Sequence, residues 1–444
     1  MAEKKKEDKN ELMEKIVSLC KRRGFIFPGS EIYGGLAGFW DYGPLGVELR
    51  NNIKDLWWKK FVTNREDNYG VSAAIIMASR AWEASGHVAG FSDPLVECEK
   101  CHKRFREDQT EGVCPECKGK LSSARQFNMM FKTQTGAVED SSATVYLRPE
   151  TAQGIFVNFK NILDSYHPKL PFGMAQIGKA FRNEITPRDW LFRSREFEQM
   201  EIEYFVRESD WEKYFETWRE DVLAYLDEIG LAKKFIHELE VPAEDRAHYS
   251  KRTIDFEFDY PFGRKELCGL AYRTNFDLSQ HAEFSGKDLN YFDEQTGEKF
   301  IPHVIEPSLG VDRLVLALLS AVYTEDELGG EPRAYLKFNY RMAPTKVAVF
   351  PLLKNKPELV EKARGVYQLL KKEIGQVAFD DNGNIGKRYR RQDEIGTPYC
   401  VTIDFDTLGE NPDLLDTVTV RDRDTGTQQR MKIEELIEFF KNKA

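Results

Sequence analysis

The sequence predicts an α+β protein, with an antiparallel sheet and helices over residues 1–340 and a separate α/β domain over 341–444. Three observations predict it. Two strand-like runs, one ending in Phe181-Arg182-Asn183-Glu184 and one opening with Arg193-Ser194-Arg195-Glu196-Phe197, flank eight residues that include Pro187. That is the pattern of an antiparallel hairpin with a long loop. Two Cys-x-x-Cys units mark an inserted module over residues 90–122. Beyond Pro344, strand-like and helix-like runs alternate to the end.

Bulk properties bound the class. A chain of 444 residues suggests about three domains. Hydrophobic content of 41% and charged content of 31% fit a globular protein in water. No apolar run approaches membrane-spanning length, and Met1 to Lys9 contain no apolar signal core. The expected setting is therefore cytoplasmic, away from the membrane, with roughly the first ten residues disordered. A net charge of -10 argues against nucleic-acid binding by whole-protein charge but leaves room for a local basic surface.

Along the chain, Leu12, Ile16 and Leu19 at helical spacing predict a helix from Asn10 to Cys20. Five glycines interleaved with aromatics in Ile32–Gly46 predict a tight, ordered loop. A helix through Trp57, Trp58 and Phe61 and a strand over Val71–Met77 follow. Of seven cysteines, Cys98, Cys101, Cys114 and Cys117 fall in the two Cys-x-x-Cys units, separated by twelve residues. The odd count speaks against a disulfide framework. The spacing fits a structural Zn2+ held by four thiolates, with no position left for catalysis. Four unrelated reduced thiols, or a redox pair, are the alternatives.

In the hairpin, side chains alternate across each strand. Gln176, Ala180, Arg182 and Glu184 share one face of the first run; Arg193, Arg195, Phe197, Gln199 and Glu201 share one face of the second. Arginines, a phenylalanine and carboxylates make a poor core and a good nucleotide site. The guanidinium fork suits phosphate, and the ring offers a platform for a purine. Residues 206–260 read as a mainly helical insertion, with Trp211, Phe215, Trp218, Val222, Tyr225 and Leu226 as its apolar stripe. Gly310 and Arg313 then open an almost wholly apolar helix. In the last domain, Lys346–Pro351, Gln376–Phe379 and Tyr399–Asp404 read as strands, 357–374 as a helix, and 417–431 as a hairpin before a terminal helix. The basic run Lys387-Arg388-Tyr389-Arg390-Arg391 mixes charge with an aromatic and reads as an RNA contact or a solvated loop.

The Phe181-Arg-x-Glu184 entry and Arg193-x-x-x-Phe197 return resemble motif 2 of the class II aminoacyl-tRNA synthetases, and Gly310-x-x-Arg313 resembles motif 3. The helix from Gly46 to Phe61 and the strand after it stand where that family has motif 1, without the proline that usually closes it. Tyr146 to Gly154, Ala175 to Glu184, Glu266 to Leu278 and Glu306-Pro307-Ser308 look like glycyl-tRNA synthetases of the homodimeric type, a resemblance running from Gly24 to the end.

The resemblance implies a class II antiparallel catalytic sheet with a zinc-ribbon-like insertion, an anticodon-binding C-terminal domain, and a homodimer. It implies ATP-dependent activation of glycine and its transfer to the 3' end of tRNA(Gly). By the same resemblance Arg182 and Arg313 are catalytic and grip phosphates, and Arg193 is a second phosphate candidate. Phe197 stacks on adenine, Glu184 holds the adenosine side, and Glu266 is the candidate protein ligand for Mg2+. Glu150, Glu201 and Glu306 surround the glycine ammonium, with Ser308 close by and Arg273 near the carboxylate end. Two rivals are a relative specific for proline, threonine or histidine, and a non-catalytic nucleic-acid-binding subunit. Glu306-Pro307-Ser308 speaks against the first, and the presence of both Arg182 and Arg313 against the second.

Overall fold

Seven strands form the central sheet of the computed structural model, which describes residues 2–137 and 143–443. In chain order they are β1 (Asn68–Gly70), β2 (Phe172–Phe181), β3 (Glu196–Val206), β4 (Ile236–Glu240), β5 (Arg252–Tyr260), β6 (Gly263–Thr274) and β7 (His303–Gly310). Across the sheet the order is β4-β5-β6-β7-β3-β2-β1, antiparallel throughout except for the parallel β1–β2 edge. Strand β3 shows why the two faces differ. Met200, Ile202, Tyr204 and Val206 enter the hydrophobic core, while Phe197, Gln199, Glu201 and Glu203 alternate onto the opposite face. Helices α1 (Ala2–Arg23), α2 (Pro44–Trp58), α3 (Trp211–Glu228) and α4 (Val311–Val322) pack into that core from the same side. Helix α4 buries Leu314, Val315, Leu316, Leu318 and Leu319. Each such side chain contributes about 1.5–3 kcal/mol of transfer free energy. This anchors Arg313, the helix's third residue, at the rim of the opposite face.

Several expectations are corrected. Helix α1 starts at Ala2, not near Asn10, because its lead is made of strong helix formers with no glycine or proline. Of the strand expected over Val71–Met77 only Ile76–Met77 forms, since β1 ends before it at Gly70. Residues 206–260 are not mainly helical: α3 ends at Glu228, and β4 and β5 belong to the main sheet. The alternation Ile254-Asp255-Phe256-Glu257-Phe258-Asp259-Tyr260 has strand period, and its apolar members are all buried.

The C-terminal unit contains β8 (Val347–Pro351), α5 (Pro357–Ile374), β9 (Val377–Phe379), α6 (Ile385–Ile395), β10 (Tyr399–Ile403), β11 (Thr417–Asp422), β12 (Gln428–Lys432) and α7 (Leu436–Lys441). Its sheet runs β9-β8-β10-β11-β12, parallel over the first three strands and antiparallel beyond. The basic run lies on α6, which Asn384 caps by accepting from the Lys387 N–H. Helical periodicity turns Arg388 inward, where it is 1% exposed and donates to the carbonyls of Pro351, Asp381 and Gly383. The Tyr389 hydroxyl is paired with Thr402, and Arg391 with Asp380. Arg388, Tyr389 and Arg391 thus help hold the domain together, while Lys387 stays exposed. Among the described residues, no helix is long and apolar enough to cross a membrane.

Candidate active site and cysteine cluster

Register across five strands places Gln176, Glu201, Ser308, Gly269 and Asp255 as successive cross-strand partners, a polar row on the face opposite the core. Two cavities open on this face, and Arg182, Gln199 and Ser308 line both. The first holds every residue expected at the nucleotide: Arg182, Glu184, Arg193, Phe197, Glu266 and Arg313. The hairpin loop that carries Arg193 seats on the glycine-rich segment. At Gly38, with φ +79°, an added Cβ would lie 2.8 Å from Pro187, so this close approach needs glycine. Arg195 donates to the carbonyls of Glu184 and Ala37, which braces the loop and keeps its charge out of the cavity.

Charges in this cavity are paired loosely enough to be redirected. The Arg182 guanidinium lies 5.3 Å from the Phe197 ring centre, and its Nε donates to the Pro149 carbonyl. Arg193 Nη1 is 3.5 Å from Glu184 Oε2, and Arg313 Nη1 is 3.0 Å from Glu266 Oε2. Arg313, prevailing over burial, holds the Glu266 carboxyl below its ordinary range. Four paired cations and anions around an aromatic wall can accept a polyphosphate by exchange of partners.

The second cavity is acidic. Glu150, Glu201, Glu306 and Ser308 line it as expected, together with Tyr249, Asp245 and Asp255. The Thr151 hydroxyl donates to Glu201 Oε2, and the Ser308 hydroxyl donates to Glu201 Oε1 at 2.8 Å. Glu150 Oε1 accepts from Gln153, and His87 Nε2 lies 3.3 Å from Glu150 Oε2. Burial opposes the charge on Glu150, yet the attraction of His87 and of Arg273 holds its carboxyl well below the usual range. Burial, then the charge of Glu150, pushes Glu201 up. Asp255 rises to about 7, through burial and then Glu266.

Arg273 does not line the cavity. It is 1% exposed and donates to both oxygens of Asp277 and to Glu306 Oε1, each at 2.8 Å. The Tyr249 ring lies 3.8 Å from its guanidinium and lines the cavity in its place. Arg273 therefore fixes Glu306 from behind. Residues that sequence reasoning missed are Thr151, Gln153, His87, Tyr249, Asp255 and Glu203. Glu203 could have been found, since it continues the Phe197-Gln199-Glu201 alternation by one more step. Thr151 and Gln153 sit beside Glu150 in the segment Tyr146 to Gly154, while His87, Tyr249 and Asp255 come from distant segments with no local signal.

The cysteine module forms a three-stranded sheet, Ser92–Glu97 with Arg104–Arg106 and Arg125–Asn128. Its four thiols converge, with Sγ atoms 3.4 Å apart for Cys98–Cys117 and 3.7 Å for Cys101–Cys114. Tetrahedral zinc with bonds of about 2.3 Å sets its sulfurs about 3.8 Å apart, so this donor set fits one such ion. The Cys101 and Lys100 N–H groups both point at the Cys98 sulfur, as they would at a thiolate ligand. All four sulfurs belong to one cluster that could hold a metal.

Comparison with known proteins agrees with this geometry. Residues 131–322 match the family model for the tRNA synthetase class II core domain (G, H, P, S and T), and residues 346–443 match that for an anticodon binding domain. A glycine–tRNA ligase of Clostridium acetobutylicum is 50% identical over 463 residues, covering 97% of this chain and 98% of the relative. That of Acetivibrio thermocellus is 50% identical over 462 residues, with the same coverage. A solved structure of Giardia lamblia prolyl-tRNA synthetase in complex with prolyl-adenylate superposes with a TM-score of 0.70 at 16% identity, covering 97% of this chain and 76% of that one. At that identity the likeness speaks to the fold alone.

Proposed function

The chain belongs to the glycine–tRNA ligase family of the class II aminoacyl-tRNA synthetases, and on that premise we propose how its two cavities divide the work. The protein activates glycine with ATP and transfers it to tRNA(Gly). The observation that carries the assignment of roles is the pairing of an arginine- and aromatic-lined cavity with an adjoining carboxylate-lined one, with Arg182, Gln199 and Ser308 common to both.

In the first step a glycine carboxylate oxygen attacks the α-phosphorus of ATP, the bond to the β-phosphate oxygen breaks, and pyrophosphate leaves. The attacking carboxylate is already ionised, so no general base is needed. Arg182, at the junction of the cavities, neutralises charge building on the α-phosphate. Arg313 and Arg193 exchange Glu266 and Glu184 for the outer phosphates. Phe197 stacks on the adenine, with Arg182 over its ring. Mg2+, when bound with ATP, screens the phosphate charge, and Glu266 is the side chain suited to hold it. Glu150, Glu201 and Glu306 surround the ammonium, while Arg273 and His87 hold two of these carboxylates in place. Alanine is excluded by bulk, since glycine offers no side chain to grip. Transfer of labelled glycine to tRNA(Gly) tests the whole reading; a folded protein that charges no tRNA with glycine would refute it.

Zinc is the ion we assign to the four thiols, in a structural role. Cys101→Ser is expected to remove about one zinc per chain and to expose residues 92–128 to protease, measured by elemental analysis and limited proteolysis. Equal zinc content in wild type and variant would contradict the assignment. A homodimer is supported by the exposed apolar side chains Ile32 and Tyr33, at 89% and 87%, with Leu36 beside them in sequence. Sedimentation equilibrium giving a monomer at micromolar concentration would exclude a stable dimer.

A further inference from the structure

Glu203 has no role in the reaction described above, yet it stands at the back of the acidic cavity. It is 0% exposed, and neither carboxyl oxygen has a hydrogen-bond partner. One oxygen from each of Glu201, Glu203 and Glu306 lies within 4.8 Å of the others. The charged groups acting on it are Glu201 on its own strand, Glu306 on β7, Arg273 on β6 and Asp277 on the helix Phe276–Ser285, whose His281 is paired with Gln153. Glu306 in turn faces Glu150, which is paired with His87, and Tyr249.

The neighbours differ in how well they are satisfied. Asp277 accepts from Arg273 twice and from Gln153, and Glu201 accepts two hydroxyls. Glu306 takes one bond from Arg273, while Glu203 takes none. Arg273 is thus shared between Asp277 and Glu306 and makes no hydrogen bond to Glu203. An ionised carboxylate buried without a donor is costly, and a second one beside Glu306 more so. Burial and then the charge of Glu306 push Glu203 well above the ordinary carboxylate range, and burial, joined by the charges of Glu201 and Glu150 against the pull of Arg273, pushes Glu306 well above it too.

We propose that the Glu203–Glu306 pair keeps one proton while the cavity is empty and that the glycine ammonium displaces it, so that glycine binds with release of a proton. The proton passes to solvent, and the carboxylate charge it uncovers is neutralised by the incoming ammonium. The inference rests on the glycine-binding reading of this cavity. It makes Glu203 a positioning residue: it sets the charge that the pocket presents and touches no reacting atom. Because the complex binds fewer protons than the free partners, glycine affinity rises with pH, by up to about tenfold per unit below the ionisation of the pair.

The test is calorimetry of glycine binding near pH 7 in phosphate and in Tris, whose ionisation enthalpies differ. Free glycine keeps its ammonium proton there, so any proton released comes from the protein. The expected result is about one proton released per site by the wild type and close to none by Glu203→Gln. Equal binding heats in the two buffers for the wild type, or undiminished release by the variant, would overturn the proposal. If the variant does not fold, a wild-type glycine Kd constant from pH 6 to 8 overturns it equally. Absence of glycine binding by the wild type would instead refute the glycine-binding reading on which the proposal rests.

Discussion

Glu201→Gln is expected to lower kcat/KM for glycine in ATP–pyrophosphate exchange by about two to three and a half orders of magnitude, with the fold intact. Glu201 is 2% exposed and is oriented by the hydroxyls of Thr151 and Ser308, one on each oxygen. Those bonds fix the carboxylate while leaving lone pairs for a third partner. Glutamine keeps the shape, removes the charge, and turns an NH2 donor against one hydroxyl. Removing one partner of a buried ion pair costs about 3–5 kcal/mol. At about 1.4 kcal/mol per factor of ten, that is the predicted loss. The penalty should appear in glycine binding, with the KM for ATP little changed, because Glu201 does not line the nucleotide cavity. Wild-type exchange in this variant would remove Glu201 from the ammonium site.

Arg313→Ala has a comparable effect through the other substrate. Arg313 lies 4.6 Å from the Phe192 ring centre and pairs with Glu266 across 3.0 Å. Truncation removes a cation from the phosphate end and leaves Glu266 without the partner that keeps it ionised. Loss of one preorganised charge-stabilising group costs about 10²–10³ in rate. We expect at least that loss in exchange, a raised KM for ATP, and unchanged glycine affinity by calorimetry. Arg313→Lys keeps the charge but not the planar fork, so it should fall between wild type and alanine. Matching rates for all three proteins would show that Arg313 serves only to open α4.

What the sequence disclosed and what it hid follow from the range of the forces involved. Strand alternation is local, so the shared face of Phe197, Gln199 and Glu201 was legible, as was the apolar run that makes α4. Cysteine spacing is local too, and the four thiols do converge. The place of Arg273 was hidden because it depends on pairing between distant strands and on a loop. A register shift between Tyr272 and Thr274 in the β6–β7 ladder sits at Arg273, and the segment from Val241 to Thr253 brings Tyr249 over it. Neither registers nor covering loops leave a local pattern. The basic run concealed the place of Arg388 for a different reason. Charge suggested solvent, but helical phase buries Arg388 where three carbonyls need donors.

The most direct test of the central claim is ATP–pyrophosphate exchange by the metal-replete protein with each of glycine, alanine, serine, proline, threonine and histidine. A carboxylate pocket closed to side chains predicts exchange with glycine and background levels with the rest. Exchange with another of these amino acids, or with none of them from folded protein, would contradict it.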